Sequence, residues 1–333
     1  MKDPKFRNWR PSRRGSLASW LLRQALWLVR LVSGPLPKEK AMLVAVLRKR
    51  MERVKALLPR PPPGWVFAEV QGPGFRGHWM YPVDLSSADV LLYVHGGGYI
   101  MGSPMETHCD LIVRIGAAAQ AKVLAVNYSK APESTFPVAI EEVLAAYRYL
   151  LTLYPSSRIA IGGDSAGGGH SLGAALRLRQ EELPVPGALF TLSACADLSG
   201  SGRSVQTNAR RDYVVPADTI STIAEVYLGT TAADDPIASP VFGDYRGFPP
   251  TLLQVGGDEV FLDDSVRIAT RMRAAGVPVL LDIWDKLPHV WQIYAALLPE
   301  GRAAIEDIGR FTRSQLRDPA PTAAAHADQG LRR

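Results

Sequence analysis

From Trp65 onward the chain alternates between two kinds of hydrophobic pattern. Short unbroken runs rich in Val, Ile and Leu occur at Val90–Val94, Val123–Asn127, Ile159–Gly162, Ala188–Ser193, Thr251–Val255 and Val279–Ile283. Runs of this kind suit strands buried on both faces of a parallel sheet. Longer helical stretches separate most of them, at about 106–119, 136–152, 167–180, 263–275 and 289–314. Ahead of them, Val66–Val70 and His78–Tyr81 read as a short hairpin. The alternation predicts an α/β fold, with a mostly parallel sheet, right-handed crossovers and flanking helices. The stretch 200–248 does not fit one crossover: it holds Gly200, Gly202, a helical run near 217–228 and a Pro/Gly-rich end. It predicts an insertion over the carboxyl ends of the strands, where such sheets bind ligands.

The N-terminal pattern is different. Residues 16–33 are rich in Leu, Trp and Val, and Arg23 and Arg30 fall seven residues apart, near one helix face. The run is short for a membrane span, and a span rarely carries two arginines. It predicts an amphipathic helix behind a basic tail of Lys2, Lys5, Arg7, Arg10, Arg13 and Arg14. Gly34-Pro35 ends it. A second helix is expected from Lys38 to about Leu58, stopped by Pro61-Pro62-Pro63-Gly64. Two uses suit these helices over residues 1–60: packing on the body alone, or an additional contact with a membrane surface through residues 1–33. Arg13-Arg14 matches the twin arginines of an export signal, but Arg23 breaks the apolar run that such a signal needs. The Ala/Pro/Arg-rich stretch 318–333 is expected to be a disordered tail.

Composition narrows the class. The 333 residues are 47% hydrophobic and 21% charged, which fits a globular chain with a sizeable core and argues against disordered, collagenous and coiled-coil classes. Only Cys109 and Cys195 are present, too few for a disulfide framework or a Cys-rich zinc module, and a cytoplasmic location fits. The net charge of +6 is unevenly spread. Residues 1–60 hold 16 of the 38 basic and 3 of the 32 acidic side chains, a net of +13 that leaves −7 on the body. An acidic body argues against a nucleic-acid partner.

Gly163-Asp164-Ser165-Ala166-Gly167 is a G-x-S-x-G that follows a strand and opens a helix, the context in which it presents a nucleophilic serine on a sharp turn. The glycines leave room for that turn, and the helix N-terminus adds positive potential. His95-Gly96-Gly97-Gly98 follows the strand Val90–Val94. Its backbone N–H groups, with that of Ala166, can converge as an oxyanion hole. A phosphate cradle is the weaker reading, because no Lys-Ser/Thr follows the glycines. The serine needs a base and the base an orienting acid, in the order Ser, acid, His. Among the six histidines, only His289 lies after a late strand with an acid between it and Ser165, His326 falling in the expected tail. Asp258, at the carboxyl end of Gln254-Val-Gly-Gly, is the expected acid. Asp263 and Asp264 are runners-up that could instead cap the next helix, and Asp285 stands too close to His289.

These motifs resemble the hormone-sensitive lipase family of α/β-hydrolases, particularly its bacterial esterase and acetyl-hydrolase members. The resemblance covers about 65–315 and adds Tyr99, Gly102, Gly168, Asn127-Tyr-Ser-Lys-Ala-Pro-Glu133, Phe136-Pro137, Gly257-Asp258 with Asp264, and Pro288-His289-Val-Trp291. It implies the α/β-hydrolase fold and a serine carboxylesterase acting on short- to medium-chain acyl esters through an acyl-enzyme. The implied triad is Ser165, Asp258 and His289, with Gly97, Gly98 and Ala166 as oxyanion donors and His95 structural. A helical cap built from residues 1–60 and about 200–248 is also implied, with no metal or organic cofactor. Amide deacetylation and lactone opening use the same groups. A non-catalytic small-molecule receptor is the rival of another class; a receptor branch of the family lost the histidine that His289 supplies here. Two positions depart from the family pattern: Ser129 stands for an arginine and Gly169 for an asparagine. A homodimer through a cap helix is compatible with the sequence without being dictated by it.

Overall fold

In the computed structural model, residues 6–10, 13–32, 34–55 and 58–317 are described. The tail expected at 318–333 and the basic residues Lys2 and Lys5 lie outside them. Among the described residues nine strands form one sheet: β1 (Phe6–Trp9), β2 (Trp65–Gly72), β3 (Phe75–Pro82), β4 (Val90–Val94), β5 (Lys122–Val126), β6 (Ile159–Asp164), β7 (Ala188–Leu192), β8 (Thr251–Gly256) and β9 (Val279–Trp284). Their order is β1-β9-β8-β7-β6-β4-β5-β3-β2. The pairs from β5 through β9 and on to β1 are parallel, and only the β2–β3 hairpin and its β3–β5 edge are antiparallel. The chain reverses its direction of winding at β4. From there β5 lies on one side and β6 on the other, so the crevice at the β4/β6 carboxyl ends is the topological switch point.

The unbroken apolar runs become strands covered on both faces. Val90, Leu92 and Val94 of β4 face the core under α4 (Val138–Leu151), α5 (Ala166–Gln180) and α8 (Leu262–Ala274). Leu91 and Tyr93 face the opposite core under α3 (Cys109–Ala119) and α9 (Pro299–Arg317). The single helix expected over 289–314 is instead a 3-10 turn, Trp291–Tyr294, followed by α9. Pro299, which fixes φ and lacks an N–H, sits at the first position of the new helix.

The N-terminal segment supplies two helices, α1 (Arg13–Val32) and α2 (Lys40–Lys55). The insertion after β7 supplies α6 (Arg203–Thr207) and α7 (Ile220–Leu228). Arg48 of α2 fastens this layer to the body. Its guanidinium donates to Ile100 O (2.8 Å), Ala131 O (2.9 Å) and both oxygens of Glu133 (2.7 Å each). Ser129, in the same loop, donates its backbone N–H and its hydroxyl to Glu142, so that carboxylate is satisfied without an arginine.

Strand β1 was not expected from the sequence: four residues, Phe-Arg-Asn-Trp, carry too little pattern to read as a strand. Long-range contacts hold it. Arg7 clamps the fully buried Asp282 of β9 at 2.7 and 2.8 Å, and Trp9 stacks on Trp284 with ring centroids 4.8 Å apart. Burial pushes the Asp282 carboxyl upward, and the Arg7 guanidinium opposes that. Replacing Arg7 with Ala strands a buried carboxylate, tempered by the partial exposure of Arg7. The expected loss is about 1–3 kcal/mol of unfolding free energy in urea titrations, with Arg7→Lys losing less.

Candidate active site

The turn after β6 is crowded by design of its residue types. Ser165 sits at φ +52°, ψ −121°, a conformation that costs a non-glycine residue about 1–3 kcal/mol. The glycines two positions to either side cannot carry side chains. A Cβ at Gly163 would lie 2.4 Å from Val94 O, and one at Gly167 would lie 2.0 Å from Val94 O and 2.5 Å from His95 O. Gly169 is equally confined, with a Cβ position 2.3 Å from Cys195 O, which accounts for glycine where a longer side chain was expected. The turn is held by Ser165 N–H to Leu192 O (2.8 Å) and by Cys195 N–H to Ser165 O (3.0 Å). Ser165 thus stands at the N-terminus of α5, whose partial positive charge faces it.

The histidine loop meets it. His289 Nε2 lies 2.9 Å from Ser165 Oγ, and His289 is buried. Val290, at φ +49°, turns the chain so that its N–H bonds Ser193 Oγ at 3.1 Å. The carboxylate that meets the ring is not that of Asp258. His289 Nδ1 lies 2.8 Å from Glu259 Oε2. The reason is the turn that follows β8: Glu259 N–H bonds Gly256 O (3.3 Å), so Gly257 and Asp258 occupy the corners and Glu259 returns inward. Asp258 lies 3.7 Å from Arg23 of α1 instead. The runners-up also serve elsewhere. Asp263 accepts from Ser204 N–H (3.1 Å), while buried Asp264 accepts from Ala196 N–H (2.9 Å) and Asp197 N–H (3.1 Å). Asp285 N–H bonds Trp9 O at 2.9 Å.

Glu259 is fully buried and its lone pairs are used. Oε1 accepts from Ser193 Oγ (2.7 Å) and Gly256 N–H (2.6 Å), leaving Oε2 to the imidazole. Its loop is anchored from the insertion: Asn208 Nδ2 donates to Glu259 O (2.8 Å), and Asp212 Oδ2 accepts from Val260 N–H (3.0 Å). Sequence reasoning missed Glu259, Ser193, Asn208 and Asp212. The usable signal was a second acid directly after Asp258, one residue further into a Gly-Gly turn.

The oxyanion side is built by positive-φ backbone. Gly97 (φ +128°), Gly98 (φ +58°) and Tyr99 (φ +64°) turn the loop after β4 toward Ser165. A Cβ at Gly97 would lie 2.1 Å from Met101 O. Among the described residues no protein acceptor takes the N–H of Gly97 or Gly98, and Ala166, first residue of α5, has no acceptor within its helix. His95 is buried beneath them, stacked on Tyr128 at 4.3 Å, with Nδ1 2.6 Å from Gly96 O. Burial pushes its basicity far below the ordinary histidine range, as suits a structural ring.

Ser165, His289, Gly97 and Gly98 open into one cavity of about 250 Å³. Its walls are apolar: Leu47 and Met51 of α2, Ile220 and Ile223 of α7, Leu198 and Phe261. Among the described residues no group of three or more His, Cys, Asp or Glu side chains is arranged to hold a metal ion.

The arrangement can run nucleophilic acyl chemistry. Burial disfavours the charged form of His289, but its hydrogen bond to Glu259 outweighs this and lifts its basicity above the ordinary histidine value. Only the neutral ring can take a proton. Activity therefore falls as pH drops through that raised value, with the acid limb of kcat/KM above about 6.5. Glu259→Gln is expected to move the limb to lower pH and to cut kcat by roughly 10²–10⁴-fold, while Asp258→Asn changes kcat by no more than about twofold. Steady-state kinetics of both variants across pH check this.

The model of the alpha/beta hydrolase fold family matches residues 91–293. An acetyl-hydrolase of Streptomyces hygroscopicus is 42% identical over 237 residues, which span 71% of this chain and 79% of that protein. An esterase of Acinetobacter venetianus is 30% identical over 281 residues, 84% of this chain and 91% of its own. The crystal structure of an esterase from the bacterial hormone-sensitive lipase family superposes with a TM-score of 0.80 at 37% identity, covering 92% of this chain and 99% of that one.

Proposed function

The chain belongs to the hormone-sensitive lipase family of α/β-hydrolases, and from that premise we propose that it hydrolyses small carboxylic esters through an acyl-enzyme on Ser165. The observation that carries the reading is the unbroken line from Ser165 Oγ through His289 to Glu259, facing an apolar cavity beside unengaged backbone donors. Ser165 Oγ attacks the ester carbonyl and its proton passes to His289 Nε2. Glu259 holds the ring by Nδ1–H and stabilises the imidazolium. The carbonyl oxygen becomes an oxyanion facing the N–H groups of Gly97, Gly98 and Ala166, each donor of this kind being worth roughly 10²–10³-fold in kcat. Collapse of the tetrahedral species breaks the bond to the leaving oxygen, which takes the proton from His289 and departs as an alcohol. A water then attacks the acyl-Ser165, with His289 taking and returning its proton, and the acid is released.

The cavity argues for a small ester. At about 250 Å³ it lies below the roughly 300–1,000 Å³ of sites for drug-sized ligands, and its apolar walls favour a hydrocarbon acyl chain of short to medium length. With p-nitrophenyl esters from acetate to laurate, activity is expected to peak at a short or middle length and to vanish in Ser165→Ala. Inactivity of the wild type at every length would sink the esterase reading.

We further propose that this is a cytoplasmic enzyme that visits an anionic membrane surface through α1. No described helix is long and apolar enough to cross a membrane. Leu17, Trp20, Leu21 and Leu28 nevertheless form one exposed stripe on α1, each 54–60% accessible, within the segment that carries the chain's excess positive charge. Pairing that stripe with a second copy would bring two strongly basic segments together, whereas anionic lipid complements them. The full-length protein is expected to sediment with vesicles containing phosphatidylglycerol, less so at high salt, and a Trp20→Glu/Leu21→Glu variant to remain in the supernatant. Equal sedimentation of that variant would overturn the contact.

A further inference from the structure

The turn that carries Glu259, between β8 and α8, has weak backbone bonds of its own. Glu259 N–H to Gly256 O and Leu262 N–H to Glu259 O are both 3.3 Å long. Ser193 Oγ and Gly256 N–H grip the Glu259 side chain, but the peptide groups around it need further partners.

Three side chains of the insertion supply them. Ser204, Asn208 and Asp212 recur at every fourth residue. The N–H groups of Asn208 and Asp212 bond the carbonyls four residues back, at Ser204 (2.9 Å) and Asn208 (2.8 Å), which brings the three side chains to one side of the chain. Each is buried, with 2–4% exposure. Ser204 Oγ donates to Val260 O (2.6 Å) and accepts from Asp263 N–H (3.0 Å). Asn208 Nδ2 donates to Gly257 O (3.2 Å) and to Glu259 O (2.8 Å). Asp212 Oδ2 accepts from Val260 N–H (3.0 Å). Every one of these bonds is shorter than the turn's own backbone bonds, and together they bracket Glu259 on both sides. None of them involves Asp258, which lies 3.7 Å from Arg23.

We propose that Ser204, Asn208 and Asp212 are positioning residues for ester hydrolysis: they clasp the acid turn and hold the Glu259 carboxylate on His289 Nδ1. None of the three lines the catalytic cavity. The consequence for catalysis rests on the acyl-enzyme reading.

The test falls on Asn208, because it carries no charge. Burial lowers the basicity of His289, and three carboxylates that face it raise it: Glu259 most, through its hydrogen bond, then Asp212 and Asp164. Asp212→Asn would move the His289 titration by loss of charge alone, whereas Asn208→Ala moves it by letting Glu259 drift. In the full-length protein with p-nitrophenyl acetate, Asn208→Ala is expected to lower kcat on the order of 10- to 100-fold, the cost of a displaced catalytic group, with KM within about twofold. The acid limb of kcat/KM is expected to move to lower pH, because the bond that lifts His289 is loosened. A folded variant with a wild-type limb overturns the proposal even where kcat falls. A purely structural residue lowers the active fraction without changing the titration of the sites that remain. Should Asn208→Ala not fold, Ser204→Ala, which also removes a donor without changing charge, is read in the same way. Failure of the acyl-enzyme reading shows separately, as activity that survives Ser165→Ala.

Discussion

Everything at this site depends on how closely the backbone after β6 approaches the backbone after β4. Val94 pairs with Gly163 across the two strands, and just beyond that pair the chains must part to leave a crevice. They part only slightly. Gly163 and Gly167 both lie against Val94 O, at distances that a Cβ could not tolerate. That contact forces Ser165 into its positive-φ conformation and starts α5 at once, with no room for a longer loop. The surrounding backbone over-determines the serine, and this is how a strained residue persists in a folded protein.

The same crowding explains why the two halves of the site come from different crossovers and still act together. Within the loop, Ile100 and Met101 N–H bond Gly97 O, while the N–H groups of Gly97 and Gly98 take no part in positioning it. It is also held from outside. Asp164 reaches it from the nucleophile turn, the Tyr128 hydroxyl donates to His95 O, and Arg48 of α2 donates to Ile100 O at the end of the loop. Donors that are pre-aligned by a scaffold require no reorganisation when charge develops, which is the condition for large electrostatic stabilisation.

Legibility in the sequence followed interaction range. The buried parallel strands were readable because their apolar runs are local, and Ser165 and the glycine triplet were readable because steric demands on a turn are local too, while His289 was reached by chain order. Strand β1 was not, since its four residues owe their place to Asp282 and Trp284, more than 270 positions away. The acid shows the limit most sharply. Asp258 and Glu259 are adjacent carboxylates after the same strand, and composition cannot rank them. A single hydrogen bond across the turn, Glu259 N–H to Gly256 O, decides which one faces His289. Glutamate then has the reach to serve both Gly256 N–H and the imidazole, one oxygen to each.

That turn also binds the cap to the chemistry. Asn208 and Asp212 come from the insertion, yet they hold the carbonyl of Glu259 and the N–H of Val260 on either side of the acid. Asp212 accepts from Val214 and Val215 N–H with its other oxygen, and those two residues line the cavity. The residues that shape the apolar wall are thus one carboxylate away from the residue that orients the base. A cap of this kind is no separate lid laid over a finished triad. If it shifted to admit a larger ester, the hydrogen bonds that fix Glu259 would be strained in the same motion. Asp212 thus joins two cavity-lining residues to the turn that carries Glu259, and a cavity enlarged at Val214 or Val215 without disturbing that carboxylate is the change the architecture tolerates best.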